Sequence, residues 1–386
     1  MMAALLFPPL AFLSLAAIYL FVAGLASRRP VSTRAGLPDS RLRFAVVVPA
    51  HDEENTIAAT LQSLATLNYP KPLHEVVVIA DNCSDGTAGV ARSMGARCIE
   101  RVDPTRRGKG QALRHAFDIL LAEDFQAMAV VDADTLVAPD FLDAMNERLA
   151  NGDKVVQARY GVVNPDDTPL TYVLAVGNAI ENDLFLRGRE NLGLASILRG
   201  NGMCFAAEVL REHPWEASSV VEDTEYSLDL LRQGVRTRFA PETEVRAPLP
   251  LSLDQAAAQR VRWASGNSRL TRLAAFSLIA EGLKSGRLGL ADIGFCLLVR
   301  SKPLLLLLSF VLAGIALLLK VFAAWAVLLA AFFTLYMAGG MVAMGLSRPR
   351  ARLALTAPFY LFWLMAVSLL GLTGFRGDVW ARTRRA

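Results

Sequence analysis

The sequence predicts an α/β domain with a mostly parallel central sheet, carried between apolar segments at both ends of the chain. Three observations lead there. Short β-branched apolar runs alternate with helical stretches from about residue 43 to 131. Polar and acidic clusters follow the ends of those runs. Stretches long enough to cross a bilayer flank the whole.

The first element is apolar from Ala3 to Ala26, apart from Ser14 and Tyr19. That length crosses a hydrocarbon layer of roughly 30 Å. A secretory signal would carry its positive charges ahead of a shorter apolar core. Here Arg28, Arg29 and Arg34 come after it, so residues 1–27 read as an uncleaved anchor with its C-terminal flank in the cytosol.

The soluble domain is expected over residues 40–268. Arg43 to Pro49 (RFAVVVP) is a buried strand, and Asn55 can cap a helix running to Leu67. Glu75 to Ala80 (EVVVIA) is the next strand; a loop of turn and cap residues, Asp81 to Thr87, leads into a helix ending near Met94. A short strand near Arg97 to Glu100, a helix from Lys109 to Leu121 and a strand from Ala127 to Val131 follow. Parallel sheets of this kind bind ligands at the carboxyl ends of their strands. His51 to Asn55, Asp81 to Thr87 and Asp132 to Asp134 all fall there.

Beyond the domain, Leu270 to Leu283 reads either as a surface-lying amphipathic helix within an interfacial region 269–300 or as a helix packed on the soluble domain. Membrane helices are expected over 301–375. Pro303 to Leu346 is about twice the roughly 20 residues one span needs, so it reads as two helices turning near Lys320. A further span runs from Leu353 to Phe375. Three crossings would put the basic tail 376–386 outside, yet Arg376, Arg382, Arg384 and Arg385 favour the cytosol. One segment is therefore expected to be interfacial or re-entrant.

Composition narrows the classes. The chain has 386 residues, 53% hydrophobic and 20% charged, with a net charge of +4. The charge is mild and the basic residues gather beside the apolar segments, including Arg348, Arg350 and Arg352, which excludes nucleic acid as the expected partner and favours a bilayer. Four cysteines, Cys83, Cys98, Cys204 and Cys296, form no C-x-x-C pair; a reducing compartment follows.

Several residue groups can carry chemistry. Asp132 and Asp134 stand two apart at a strand end, so extended backbone points both the same way and makes a hard-oxygen site for Mg²⁺ or Mn²⁺. An isolated D-x-D is more often structural. Lys109, between Gly108 and Gly110 and after Arg106 and Arg107, can meet phosphate; taken alone, a solvated basic turn is the better account. Glu222-Asp223 supplies a general base or an acidic helix start, or both. On a helix Gln259, Arg262 and Trp263 share a face, where Arg262 can pair with pyrophosphate and Trp263 can stack on a sugar ring. An interfacial Trp-Arg pair is the rival account.

Taken in order, Asp81, Asp132-Ala133-Asp134, Glu222-Asp223 and Gln259-Arg260-Val261-Arg262-Trp263 resemble the family 2 glycosyltransferases, in the branch with cellulose synthase, hyaluronan synthase and bacterial poly-N-acetylglucosamine synthase. Val48 to Asn55 (VPAHDEEN) looks like that family's first strand and loop. The resemblance runs from Phe44 to Gly266. It implies a GT-A fold, inversion at the anomeric carbon, and a nucleotide-sugar donor with uridine as the expected base. It places Pro49, Glu53, Asp81, Lys109, Asp132, Asp134, Gln259 and Arg262 at the donor, with Asp132 and Asp134 on the metal. Asp223 becomes the base, and Gly200-Asn201-Gly202 and Trp263 the acceptor side.

The resemblance leaves two enzyme readings: addition to a growing polysaccharide, placed first, and transfer of one sugar to a lipid, as in ceramide glucosyltransferase. A catalytically silent scaffold of an export complex is a third reading, against which the full acidic set counts. No G-x-G-x-x-G follows the first strand, which argues against a dinucleotide-binding dehydrogenase. Few ionisable residues lie in the apolar segments, which argues against a transporter. The expected location is a bacterial inner or plasma membrane with the domain in the cytosol.

Overall fold

The computed structural model describes residues 2–30 and 41–373; Arg34 and the basic tail lie outside them. The N-terminal segment forms α1 (Met2–Ala26), followed by β1 (Phe44–Ala50), α2 (Ile57–Ala65), β2 (His74–Asp81), α3 (Thr87–Ser93) and β3 (Arg97–Arg101). Next come α4 (Lys109–Leu120), β4 (Ala127–Val130), β5 (Leu136–Val137), α5 (Phe141–Ala150) and β6 (Val155–Val162). A nearly continuous helical rod joins α6 (Pro169–Ala179), a π-helical turn (Ile180–Leu186) and α7 (Arg187–Asn191). The domain closes with β7 (Met203–Ala206), α8 (Ala207–Glu212), α9 (Glu222–Arg232) and β8 (Thr237–Ala247). Then α10 (Leu253–Ser285), α11 (Leu288–Leu298), α12 (Lys302–Leu319), α13 (Ala323–Ala343), α14 (Arg348–Ala354) and α15 (Ala357–Leu372) lead out.

The strands form one sheet in the order β3-β2-β1-β4-β7-β6-β8-β5. β1 pairs in parallel with β2 and β4, and β2 with β3. β7 runs antiparallel between β4 and β6, and β6 returns to parallel pairing with β8. The apolar runs follow from burial on both faces. In β1, Phe44, Val46 and Val48 pack into one core with α2 and α5, while Ala45 and Val47 enter another with α4 and the Phe117, Phe205 and Trp215 rings. Each such fully buried side chain contributes roughly 1.5–3 kcal/mol over its exposed state.

Helix ends differ from expectation in one place. Asn55 does not cap α2: Thr56 holds that position without a side-chain cap bond. The backbone N–H groups of Thr56 and Ile57 bond instead to the carbonyl of Glu53, at 3.0 and 2.9 Å, so a separate turn precedes the helix. Asp140 does stand at the start of α5, where its carboxylate accepts a hydrogen bond from the Thr243 hydroxyl at 2.8 Å.

Outside the sheet, α1, α12 and α13 are long and apolar enough to cross a membrane. The expected turn falls at Lys320, whose φ of 55° ends α12 in the left-handed region. The last expected span is broken: α14 and α15 meet at a bend of 50°. Pro358 explains the break, because it has no N–H to bond the carbonyl four residues back. The expected interfacial helix is the second half of α10, a 33-residue helix that crosses the boundary expected at 268 and packs on α11 and α15. Helix α1 is seated on the domain through Gly188, where any Cβ would lie 1.9 Å from the carbonyl oxygen of Ala23.

Candidate active site

Because β1, β2 and β4 are parallel neighbours, their carboxyl ends open on one edge of the sheet. There Pro49, Glu53, Asp81, Lys109, Asp132, Asp134, Gly200, Asp223, Gln259, Arg262 and Trp263 line a single cleft of ≈ 510 Å³. Asp132 and Asp134 are half-buried and alternate with buried Ala133 and Thr135, but the backbone there is a turn closed by the Thr135 N–H on the Asp132 carbonyl at 3.2 Å, so a turn rather than a continued strand presents both carboxylates to the cleft. They are oxygen donors on one wall, the ligand type that suits Mg²⁺ or Mn²⁺.

Two groups brace this acidic loop from behind. Thr60 Oγ1 donates to the carbonyl of Ala133 at 2.8 Å and accepts from the N–H of Thr135. Asn201 accepts from the N–H of Asp132 at 3.1 Å through Oδ1 and donates to Thr135 Oγ1 at 2.8 Å. Asn201 and Gly202 are thus buried scaffold and do not line the cleft, which corrects their expected acceptor role. Gly202 is required for packing: its φ is +68°, and a Cβ would meet Val245 Cγ2 at 2.7 Å. Gly200 alone of the three faces the cleft.

Lys109, at the start of α4, donates to Asp132 Oδ1 and to the carbonyl of Gly200, the latter at 2.5 Å. Burial would lower its pKa, but the charges of Asp132, Glu222 and Asp223 outweigh this and raise it. Asp81 is buried and ion-paired with Arg101 at 2.5 Å. The sequence reading passed over Arg101, although parallel register sets it directly opposite Asp81.

Glu222 and Asp223 occupy the first turn of α9, where the helix dipole favours negative charge. Burial pushes the Glu222 carboxyl up to about 8, helped by the neighbouring Asp223 charge. Burial raises Asp223 as well, against the opposing pull of Arg300 and Lys109. Gly200, at a φ of +79°, lies beside both partners: a Cβ there would lie 3.4 Å from Asp223 Oδ2 and 3.6 Å from Lys109 Nζ, ordinary contact distances. From α10, Arg262 faces Glu222; burial lowers its pKa and the Glu222 charge partly restores it. Trp263 remains 38% exposed, a free ring face at the rim.

Asp52, Cys83 and Asp85 also place ligand atoms within 4.8 Å of one another. Their carboxylates are engaged by Ser84, Glu54 and Thr87 in the loop, so this cluster reads as loop architecture.

A second cavity, ≈ 750 Å³, lies beside the cleft among α6, α10, α12, α13 and α15. Tyr160, Arg199, Trp263, Asn267 and Arg300 line both spaces. Arg199, Tyr160 and Arg300 were missed from sequence, because nothing local marks them.

Compared with known proteins, the chain matches the family described as "Glycosyltransferase like family 2" over residues 41–266. It is 29% identical over 258 residues to a beta-monoglucosyldiacylglycerol synthase of Trichormus variabilis, covering 63% of this chain and 53% of that protein. It is 26% identical over 229 residues to a poly-beta-1,6-N-acetyl-D-glucosamine synthase of Staphylococcus aureus, covering 57% and 53%. The chain thus spans about half the length of these curated relatives. A solved mannosyltransferase from Pyrobaculum calidifontis, in complex with GDP-Man and Mn²⁺, shares the fold with a TM-score of 0.59 at 19% identity, covering 97% of both chains.

Proposed function

This chain belongs to glycosyltransferase family 2, and on that premise we propose that it is a membrane-bound inverting glycosyltransferase using a nucleotide-sugar donor, with uridine as the expected base. The observation that carries the reading is the convergence of Asp81, Asp132, Asp134 and Asp223 with Lys109 and Arg262 in one cleft. Asp81, fixed by Arg101, receives the nucleoside end. Asp132 and Asp134 would hold Mg²⁺ or Mn²⁺, which when bound offsets the negative charge of the donor diphosphate.

The cleft's lining supports the following steps for this chain's own residues. Arg262 binds the pyrophosphate and takes up charge as the nucleoside diphosphate departs. Trp263 offers its ring face to a sugar. Asp223 removes the proton of an acceptor hydroxyl as that oxygen attacks the anomeric carbon from the side opposite the leaving group. Glu222, protonated beside it, keeps the paired negative charge from spreading over both carboxyls. One displacement inverts the anomeric centre, so no covalent sugar-enzyme intermediate is expected.

The catalytic domain is proposed to face the cytosol at a bacterial inner or plasma membrane. A growing polysaccharide and a lipid are the two acceptor readings, and the names of the relatives above include one synthase of each kind. The ≈ 750 Å³ apolar-walled cavity beside the cleft favours the lipid. Asp223→Asn tests the base assignment: it should bind the donor normally and lose transfer, and near-normal turnover would overturn it.

A further inference from the structure

The cavity beside the cleft has a charge balance that its apolar walls do not explain. Five cations line it: Arg189, Arg199, Arg260, Arg300 and Lys302, against one carboxylate, Glu181. Two of the cations are neutralised. Lys302 pairs with Glu181 at 2.6 Å and Arg189 with Asp292 at 2.6 Å. Three guanidiniums remain. Among the described residues none of Arg199, Arg260 and Arg300 has a carboxylate within ion-pair distance; Arg199 donates only to Asn182 and Asn178, and Arg300 to the Thr224 hydroxyl.

These three come from distant parts of the chain: Arg199 and Arg300 line the junction of cavity and cleft, where Asn267 Oδ1 is also buried without a partner, and Arg260 lines the cavity alone. Desolvation lowers the pKa of both Arg199 and Arg260, the latter to about 10, so each holds its charge at a cost. An arginine cluster facing a cavity whose one lining carboxylate, Glu181, is paired with Lys302 is suited to a phosphate, which guanidinium binds bidentately. The rest of the cavity, walled by α12, α13 and α15, is suited to hydrocarbon.

We propose that the acceptor is a lipid carrying a phosphate: its chains occupy the apolar cavity, and its phosphate is held by Arg199, Arg260 and Arg300 beside Asp223. This deepens the proposed function and rests on it. The acceptor oxygen bonds to the anomeric carbon as that carbon's bond to the diphosphate breaks, and the bonding pair leaves with the nucleoside diphosphate. If the oxygen belongs to a headgroup hydroxyl, its proton passes to Asp223. If it belongs to a terminal phosphate monoester, there is no proton to remove.

The test uses the full chain in phosphatidylcholine vesicles, given labelled nucleotide sugars with Mn²⁺. The vesicles contain one added lipid at a time: diacylglycerol, phosphatidylglycerol or a polyprenyl phosphate. Donor consumption and lipid-linked label are followed separately. Transfer to phosphatidylglycerol or to polyprenyl phosphate, at least tenfold above diacylglycerol, is the expected result, and Asp223→Asn should abolish transfer to phosphatidylglycerol. Arg260→Gln should raise the KM for the phosphate lipid at least tenfold and leave the donor KM unchanged, since Arg260 lines the cavity and not the cleft. Ala338→Trp, which fills the cavity from α13, should suppress lipid transfer while donor binding persists. Equal or better transfer to diacylglycerol, or label appearing only in soluble glycan, would overturn the lipid-phosphate inference and leave the glycosyltransferase reading intact. No donor binding or consumption in any vesicle by folded protein would overturn both.

Discussion

The ammonium of Lys109 is bonded to the carboxylate of Asp132 and, at 2.5 Å, to the carbonyl of Gly200. One cation therefore ties the start of α4 to the acidic loop and to the turn that faces Asp223. Neutralising it frees Asp132 and removes positive charge from the donor's diphosphate. Lys109→Met should lower kcat/KM about 10²-fold, the scale of losing one preorganised electrostatic donor. Saturation kinetics in the donor would measure it; an unchanged kcat/KM would place Lys109 outside the machinery.

Glu222 gives a pH signature. Its carboxyl has an ordinary value of 4.5 and is raised to about 8 by burial and the Asp223 charge. The folded state thus retains a proton that the unfolded chain releases. Its stabilising contribution is full below about 4.5 and is lost as pH rises through about 8. Melting of the detergent-solubilised protein should fall from pH 6 to pH 9, and Glu222→Gln should flatten that slope and be the more stable form at pH 9. A wild-type curve no steeper than the variant's would contradict the shift.

The apolar helix α1 makes its own prediction. Arg189, 1% exposed, bonds Asp292, the hydroxyl of Tyr19 and the carbonyl of Ala195, joining α1, α7 and α11. Asp292→Ala leaves a buried guanidinium without its counter-charge and should cost about 3–5 kcal/mol. The double variant Arg189→Met/Asp292→Leu should recover most of that loss. Thermal unfolding of the three variants side by side would show whether it does.

How much of this was legible in the sequence depends on the kind of signal. The strands β1, β2 and β4 were found within a residue or so of their ends, because burial on both faces leaves continuous β-branched runs. The strands β6, β7 and β8 were not assigned. Met203–Ala206 is only four residues long, and Thr237–Ala247 carries Arg238, Glu242, Glu244 and Arg246 with Pro241 at its middle, which masks its pattern. Asp132, Asp134 and Lys109, each marked by a local pattern in the sequence, line one cleft. Asn201 looked equally local, yet its amide is turned inward, a direction that a Gly-rich motif does not encode. Arg199 and Arg300 reach the cavity only through tertiary packing, so no window of sequence marks them, and Arg260 sits within a marked window whose pattern does not say that it lines that cavity.

The most direct measurement is sugar transfer by the purified protein in lipid, offered a panel of labelled nucleotide sugars with Mg²⁺ or Mn²⁺, with and without EDTA. The account predicts transfer from one donor, lost on chelation and restored by added metal, with the product inverted at its anomeric carbon. Folded protein that consumes no donor, or that transfers equally well in EDTA, would contradict the cleft chemistry set out above.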